Sequence, residues 1–285
     1  MDNNPQSHAR RTFLKSAVVA TLGAALPAGV AQASSFSASS LQLWSCGGLA
    51  EAFIPANDLY EKNNGVKIRY TGAFAAALGK SLLGSATTEI FGGRVLDLAK
   101  KLRSTGKMLY FKPLCFTSYV MITPPGNPAG IEKIADMAKP GVRVVLAPEA
   151  SPPGGQAVQN LLKKAGILHP VTKNCVSAGS CVQRTMDDIV SGRGDVSIVE
   201  LRLTRMAAFS GKTTILAIPE EFFPPPPLTF TIGVMKDAKD RRLADHYLQF
   251  ITSEEGQSFF AAAGFIPAIS DKGKELIERL GVKDA

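Results

Sequence analysis

The chain reads as an α/β protein whose sheets are mixed and mainly parallel. Two patterns carry that expectation. Short apolar runs alternate with segments of helical periodicity, and glycine-rich turns stand between them. A third observation sets the scale: 285 residues, 45% hydrophobic and 20% charged, are ordinary globular composition, enough for one large domain or two small ones.

The N-terminus stands outside the pattern. Ser7 to Lys15 is a polar start with Arg10-Arg11 followed by Phe13-Leu14-Lys15, and an apolar stretch runs from Ala17 to Val30. Ala31-Gln32-Ala33 is a small-x-small cleavage site. The stretch is too short, and too interrupted by Gly23, Pro27 and Gly29, to remain a membrane span. Residues 1–33 are expected to be a twin-arginine signal that sends the folded chain to the periplasm. Residues 34–40 are read as a Ser-rich, disordered spacer.

The mature chain opens with a strand at Leu41–Ser45, a turn at Cys46-Gly47-Gly48, a helix from Leu49 to about Lys62 stopped by Asn63-Asn64-Gly65, and a strand at Val66–Tyr70. A turn at Thr71-Gly72-Ala73 leads to a helix at Phe74–Leu83. Glu89–Arg94 reads as a short strand with a glycine turn, and Val95–Arg103 as a helix. Further strands are expected at Ser118–Thr123, Val142–Ala147, Val196–Glu200 and Leu228–Met235. Helices are expected at Ile131–Ala138, Gln156–Ala165, Val182–Ser191, Arg241–Thr252 and Glu254–Ala263. Pro224–Pro227 reads as polyproline II. The pattern breaks near Cys115–Ser118 and again near Pro224, as at crossings between two units: 41–116 plus 228–285, and 117–227.

Signal removal takes three basic residues and one acidic residue, and the formal charge falls from +8 to +6. Lysines and arginines are scattered among acids, which excludes a nucleic-acid surface and is compatible with an anionic ligand. Only His169, ahead of Pro170 in an expected loop, and His246, on a polar helix, remain after cleavage. His-based metal sites and Ser-His-Asp chemistry have no footing, and no enzyme is expected. Glu89 reads as a buried helix-turn cap, Trp44 as packing, and Arg94 and Arg69 as surface residues, partners of Glu89 or residues facing the cleft. Four cysteines remain in an oxidising compartment. Cys175 and Cys181 have the spacing of a small disulfide loop, with Cys46 and Cys115 as apolar fillers or a second bridge. The other reading makes Cys46, Cys181 and Cys115 thiol ligands for a soft metal or metalloid.

Five segments, in order, resemble periplasmic molybdate-binding proteins of ABC transporters. They are Ser45-Cys46-Gly47-Gly48-Leu49, Gly84 to Phe91, Pro148 to Gly154, Ile189 to Val196, and Phe250 with Ser253 to Gln257 and Gly264-Phe265. The resemblance covers residues 41–266 and implies a two-lobed type II periplasmic binding protein, each lobe a mixed sheet flanked by helices. It also implies a hinged cleft for a small solute such as an oxyanion, a permease partner, a monomeric state and no required cofactor. The alternative within the same fold is a ligand-sensing protein serving a sensor kinase or respiratory system. Carried over position by position, the family's site falls on Gly48, Phe74 or Ala75, Pro153, Val182 and Glu200. Gly47, Gly154, Arg94, Cys46 and Cys181 lie beside these positions. The family's hydroxyl donors are replaced, Pro153 lacks an N–H, and Glu200 puts a carboxylate where a dianion needs a cation.

Overall fold

Residues 36–150, 154–223 and 229–284 are described by the computed structural model. The export signal, Pro153 and the four-proline segment lie outside the described residues. The alternation that marks Leu41 and Leu43 becomes strand β1 (Ser40–Cys46), with those two leucines fully buried. A 3-10 turn, Gly47–Leu49, leads into α1 (Ala50–Asn64), and β2 (Lys67–Ala73) returns parallel to β1. This is the expected strand–turn–helix–strand unit. β2 runs on through the expected Thr71-Gly72-Ala73 turn, because those residues pair with Trp44, Ser45 and Cys46 of β1.

α2 (Ala75–Leu83) and β3 (Ile90–Arg94) extend the parallel set. The glycines of β3 sit inside the strand, where Gly92 pairs with both Ser45 and Ile232. α3 (Leu96–Ser104) is followed by β4 (Met108–Phe116), a strand the sequence pattern did not mark. β5 (Tyr119–Thr123) begins a second sheet system. The expected helix at Ile131–Ala138 shortens to a 3-10 turn at Ile134–Ala138. There Asp136 accepts the backbone N–H groups of Glu132 and Lys133. Then come β6 (Val144–Leu146), α4 (Gly154–Lys164), α5 (Leu168–Lys173), β7 (Cys175–Ala178), α6 (Val182–Val190), β8 (Ser197–Glu200) and β9 (Thr214–Ala217). α5, β7 and β9 were not expected, and His169 lies on α5 rather than in a loop. The chain closes with β10 (Thr229–Met235), α7 (Arg241–Ile251), α8 (Glu254–Ala262), β11 (Ile266–Pro267) and α9 (Asp271–Leu280).

The strands form a six-stranded sheet ordered β11-β4-β10-β3-β1-β2, a three-stranded sheet β8-β5-β9 and a β6-β7 pair. The sheets are mixed, as expected, but the parallel majority is not there. Only β1-β2, β1-β3 and β6-β7 run parallel, whereas β10 enters antiparallel between β3 and β4, and β5 pairs antiparallel with both its neighbours. The reason is the path of the chain. It leaves the six-stranded sheet after Phe116 and re-enters it at Thr229, so the returning strand inserts in reverse.

β3, β10, β5 and β8 are buried along their whole length. One face of the large sheet is covered by α1, α7 and α8, where Phe53 meets Phe260 and Tyr60 meets Tyr247 edge to face. The other face is covered by α2 and α3 through Leu78, Leu82, Ala99 and Leu102. No helix among the described residues is long and apolar enough to cross a membrane.

The described part of the expected spacer is tied down. Asp240 accepts the Ser37 backbone N–H at 2.6 Å, the Ser37 hydroxyl at 2.8 Å and the Ala38 N–H at 3.1 Å. It also caps α7 by accepting the Leu243 N–H at 3.0 Å. The Leu243 bond and then the Ser37 and Ala38 bonds, against burial, hold its carboxyl down at about 2. Glu89 is buried as expected but caps no helix turn: it accepts the backbone N–H groups of Gln42 on β1 and of Lys239 ahead of α7, joining a strand to a loop. Asp240→Ala is expected to cost about 1–2 kcal/mol in urea unfolding at pH 7. Because the folded value is depressed, this stabilisation is present above the unfolded carboxylate range near pH 4 and fades as pH falls toward 2. The gap between wild type and variant should therefore narrow at pH 2.5.

Candidate functional site

Six strands end at one place. Cys46 closes β1, Ala73 closes β2 and Arg94 closes β3. Ala150 and Gly154 follow β6, Ser180 and Cys181 follow β7, and Glu200 closes β8. All of these residues line a single cleft of about 760 Å³ between the two sheet systems. The crevice at the carboxyl ends of strands is where α/β sheets commonly take ligands, because the following helices start there. Helix starts do surround it: the Gly47–Leu49 turn leading into α1, α2 after Phe74, α4 at Gly154 and α6 after Cys181. Cys46, Phe74 and Cys181 precede these starts without any side-chain cap. The first-turn N–H groups there have no capping side chain to accept them.

Two glycines shape the walls. A Cβ on Gly155 would lie 2.3 Å from the Pro148 carbonyl oxygen, so only glycine lets α4 start so close to the preceding loop. Gly264 has φ +86° and abuts the Arg202 backbone, where a Cβ would come within 2.9 Å of the Arg202 Cα.

The floor is ionic. Glu200 is buried, and each of its oxygens is engaged. Arg94 Nη2 donates to Oε1, and Arg202 Nε donates to Oε2 at 2.7 Å. Burial works against the charge of Glu200, but Arg94 and then Arg202 outweigh it, and the carboxyl is held below its ordinary range. Arg94 is also buried, and Glu200 first, then Cys46 and Tyr119, keep its guanidinium charged against desolvation. Its guanidinium lies 5.5 Å from the Phe230 ring centre. Arg202 crosses the cleft over Gly48, where a Cβ would lie 3.3 Å from its guanidinium carbon, and approaches Glu51 of α1 at 3.8 Å. Tyr119, paired with Glu200 across β5 and β8, is buried beside these charges, and burial and then Glu200 raise its hydroxyl.

Of the sequence-predicted residues, the structure brings together Cys46, Gly47, Gly48, Phe74, Ala75, Arg94, Gly154, Cys181, Val182 and Glu200; Pro153 is outside the described residues. Sequence reasoning missed Arg202, Glu51, Ser180 and Gln183. A basic residue two positions past a strand-ending Glu200 was the available signal for Arg202.

The disulfide and soft-metal expectations for the cysteines need correction, whereas Cys46 and Cys115 are buried in the core, in line with the apolar-filler reading. All four thiols are free. Cys175 begins β7 and donates to the Ser177 carbonyl, while Cys181 lies past the far end of that strand and is exposed, so the extended backbone separates the expected pair. Cys115 is completely buried on β4 and does not line the cleft; burial, then Cys46, raises its thiol. Among the described residues no group of three or more His, Cys, Asp or Glu is placed to hold a metal. The expected three-thiol soft-metal site is therefore not assembled.

Residues 41–266 match the model of the bacterial extracellular solute-binding protein family, and the chain belongs to that family. Among particular relatives, it is 24% identical to the molybdate-binding protein ModA of Mycobacterium tuberculosis over 246 residues, 85% of this chain and 88% of that one. Among solved structures, the substrate-binding domain assigned to a molybdenum ABC transporter from Clostridium difficile superposes with a TM-score of 0.70 at 20% identity, covering 80% of this chain and 98% of that one. The periplasmic molybdate-binding protein of Azotobacter vinelandii gives 0.64 at 18% identity, covering 79% and 98%. The fold is thus the two-lobed α/β fold of solute-binding proteins.

Thiol titration with a chromogenic disulfide reagent should find four reactive thiols in denaturant and one fast one, Cys181, in the native protein. Removing Glu200 strands a buried Arg94. Glu200→Ala should lower unfolding stability by about 3–5 kcal/mol at pH 7. The loss should shrink in acid, because a carboxyl with a lowered folded value contributes above its unfolded range near pH 4 and loses that contribution as pH falls.

Proposed function

We propose that this protein captures a small solute with an anionic oxygen head and delivers it to an ABC permease. The two sheet systems act as lobes, 41–116 plus 228–285 and 117–227, that close on the solute as a hinged monomer. Export follows the twin-arginine route to the periplasm. The protein performs no chemistry on its cargo, and it needs no cofactor.

The observation that carries this reading is the convergence of four helix starts on one cleft, three preceded by residues that provide no side-chain cap. Unpaired N–H groups at the positive ends of helix dipoles favour an anion and are poor partners for a cation. Membership of a solute-binding family supplies the class, and the molybdate-binding relatives supply an oxyanion as the type of head group. Thermal unfolding of the purified protein with molybdate, sulfate, phosphate and acetate at millimolar concentrations tests it. A bound anion present at about 100 times its Kd should raise the midpoint by roughly 5 °C or more. No rise with any anion would sink the proposal.

A further inference from the structure

Three features of the cleft narrow the anion it takes. The first is size. A volume of about 760 Å³ is typical of sites for organic ligands. A tetrahedral inorganic oxyanion fills on the order of two or three water volumes of ~30 Å³ each, so lobe closure would have to expel far more water around it than around an organic anion.

The second is charge. The lining cations are Arg94 and Arg202, and the lining acids are Glu200 and Glu51. Glu200 uses both its oxygens on the two arginines, and Glu51 faces the far side of Arg202. The side-chain charges cancel in sum, so a ligand meets the partial positive charge of the helix starts and the one buried Arg94 Nε N–H that has no partner. That field suits one negative charge; a dianion in a neutral cleft gains nothing further from side chains and gives up more hydration.

The third is Phe74. It stands at the start of α2 with 71% of its surface exposed, the most exposed of the large apolar side chains among the described residues, and it lines the cleft. Val182 and Leu203 line the same cleft from the other sheet system. An aromatic ring in water next to amide donors is an unused apolar contact.

We propose that the ligand is a small organic acid with a single carboxylate and an apolar body. The carboxylate sits at the helix starts, and the body lies against Phe74. This rests on the anion-capture reading. Calorimetric titration of the purified protein with sodium molybdate, sulfate, acetate, butyrate and phenylacetate tests it, with Phe74→Ala run in parallel. Phe74 is exposed, so the variant should unfold at the wild-type temperature without ligand. Each methylene buried against the ring should tighten binding by about four-fold. Phenylacetate should then bind at least ten-fold more tightly than acetate, and more tightly than molybdate or sulfate. In Phe74→Ala the gain from acetate to phenylacetate should fall by about ten-fold. Molybdate or sulfate as the tightest ligand, or an unchanged gain in the variant, would overturn the organic-acid assignment and leave anion capture standing. No binding by any of the five would overturn both.

Discussion

The rest of the site depends on the carboxylate of Glu200 held between two guanidinium groups. Glu200 ends β8 in the three-stranded sheet, and Arg94 ends β3 in the six-stranded one, so their ion pair joins the two sheet systems at the base of the cleft. Arg202 makes the second bond from just beyond β8 and reaches toward Glu51 on α1. A buried pair of this kind adds little net stability, because desolvation offsets most of the attraction. What it adds is position. Losing either partner leaves a charge in a dry setting, so the strand ends can settle only in the arrangement that pairs all three charges.

The topology does the remaining work. Parallel strands β1, β2 and β3 end at the same level, and each is followed by a helical turn that begins there. The site is therefore made largely of backbone. This explains how side-chain hydroxyl donors can be absent at Gly48, Phe74 and Ala75 while an anion-binding geometry remains: the donors that count are amides, which any non-proline residue supplies. It also explains the glycines. Gly155 and Gly264 are required by close approach, one at the start of α4 and one against the Arg202 backbone, and both positions set where a cleft-lining group stands.

Much of this was legible in the sequence, for physical reasons that differ by element. The unit from β1 to β2 was readable because a strand buried on one side alternates, and because Asn63-Asn64-Gly65 stops a helix. β4 was not, because Lys112 and Pro113 interrupt it and its pairing comes from β10, more than a hundred residues later. α9 was missed because it is largely charged, and its burial rests on Leu276 with neighbours such as Phe116. Gly48, Phe74, Ala75, Val182 and Glu200 came from the resemblance, and they share one cleft with Cys46, Gly47, Arg94, Gly154 and Cys181, read as lying beside them. The fate of the cysteines was not readable. An oxidising compartment permits a disulfide, but only the direction of β7 decides whether Cys175 and Cys181 meet.

The repulsion expected between Glu200 and an anion has the same origin as the error over Arg202. Read along the chain, Glu200 is an isolated negative charge in a binding cleft. In the fold it has a cation on each oxygen, one from its own sheet system and one from the other. A carboxylate paired twice is already neutralised where it lines the cleft. The sign of the cleft is then set by what remains unpaired, namely the N–H groups at the helix starts and the buried Arg94 Nε, with Glu51 offsetting the surplus on Arg202. Charge at such a site cannot be read from residue types singly. It follows from which acids are already spent on which bases, and here both arginines are spent on Glu200.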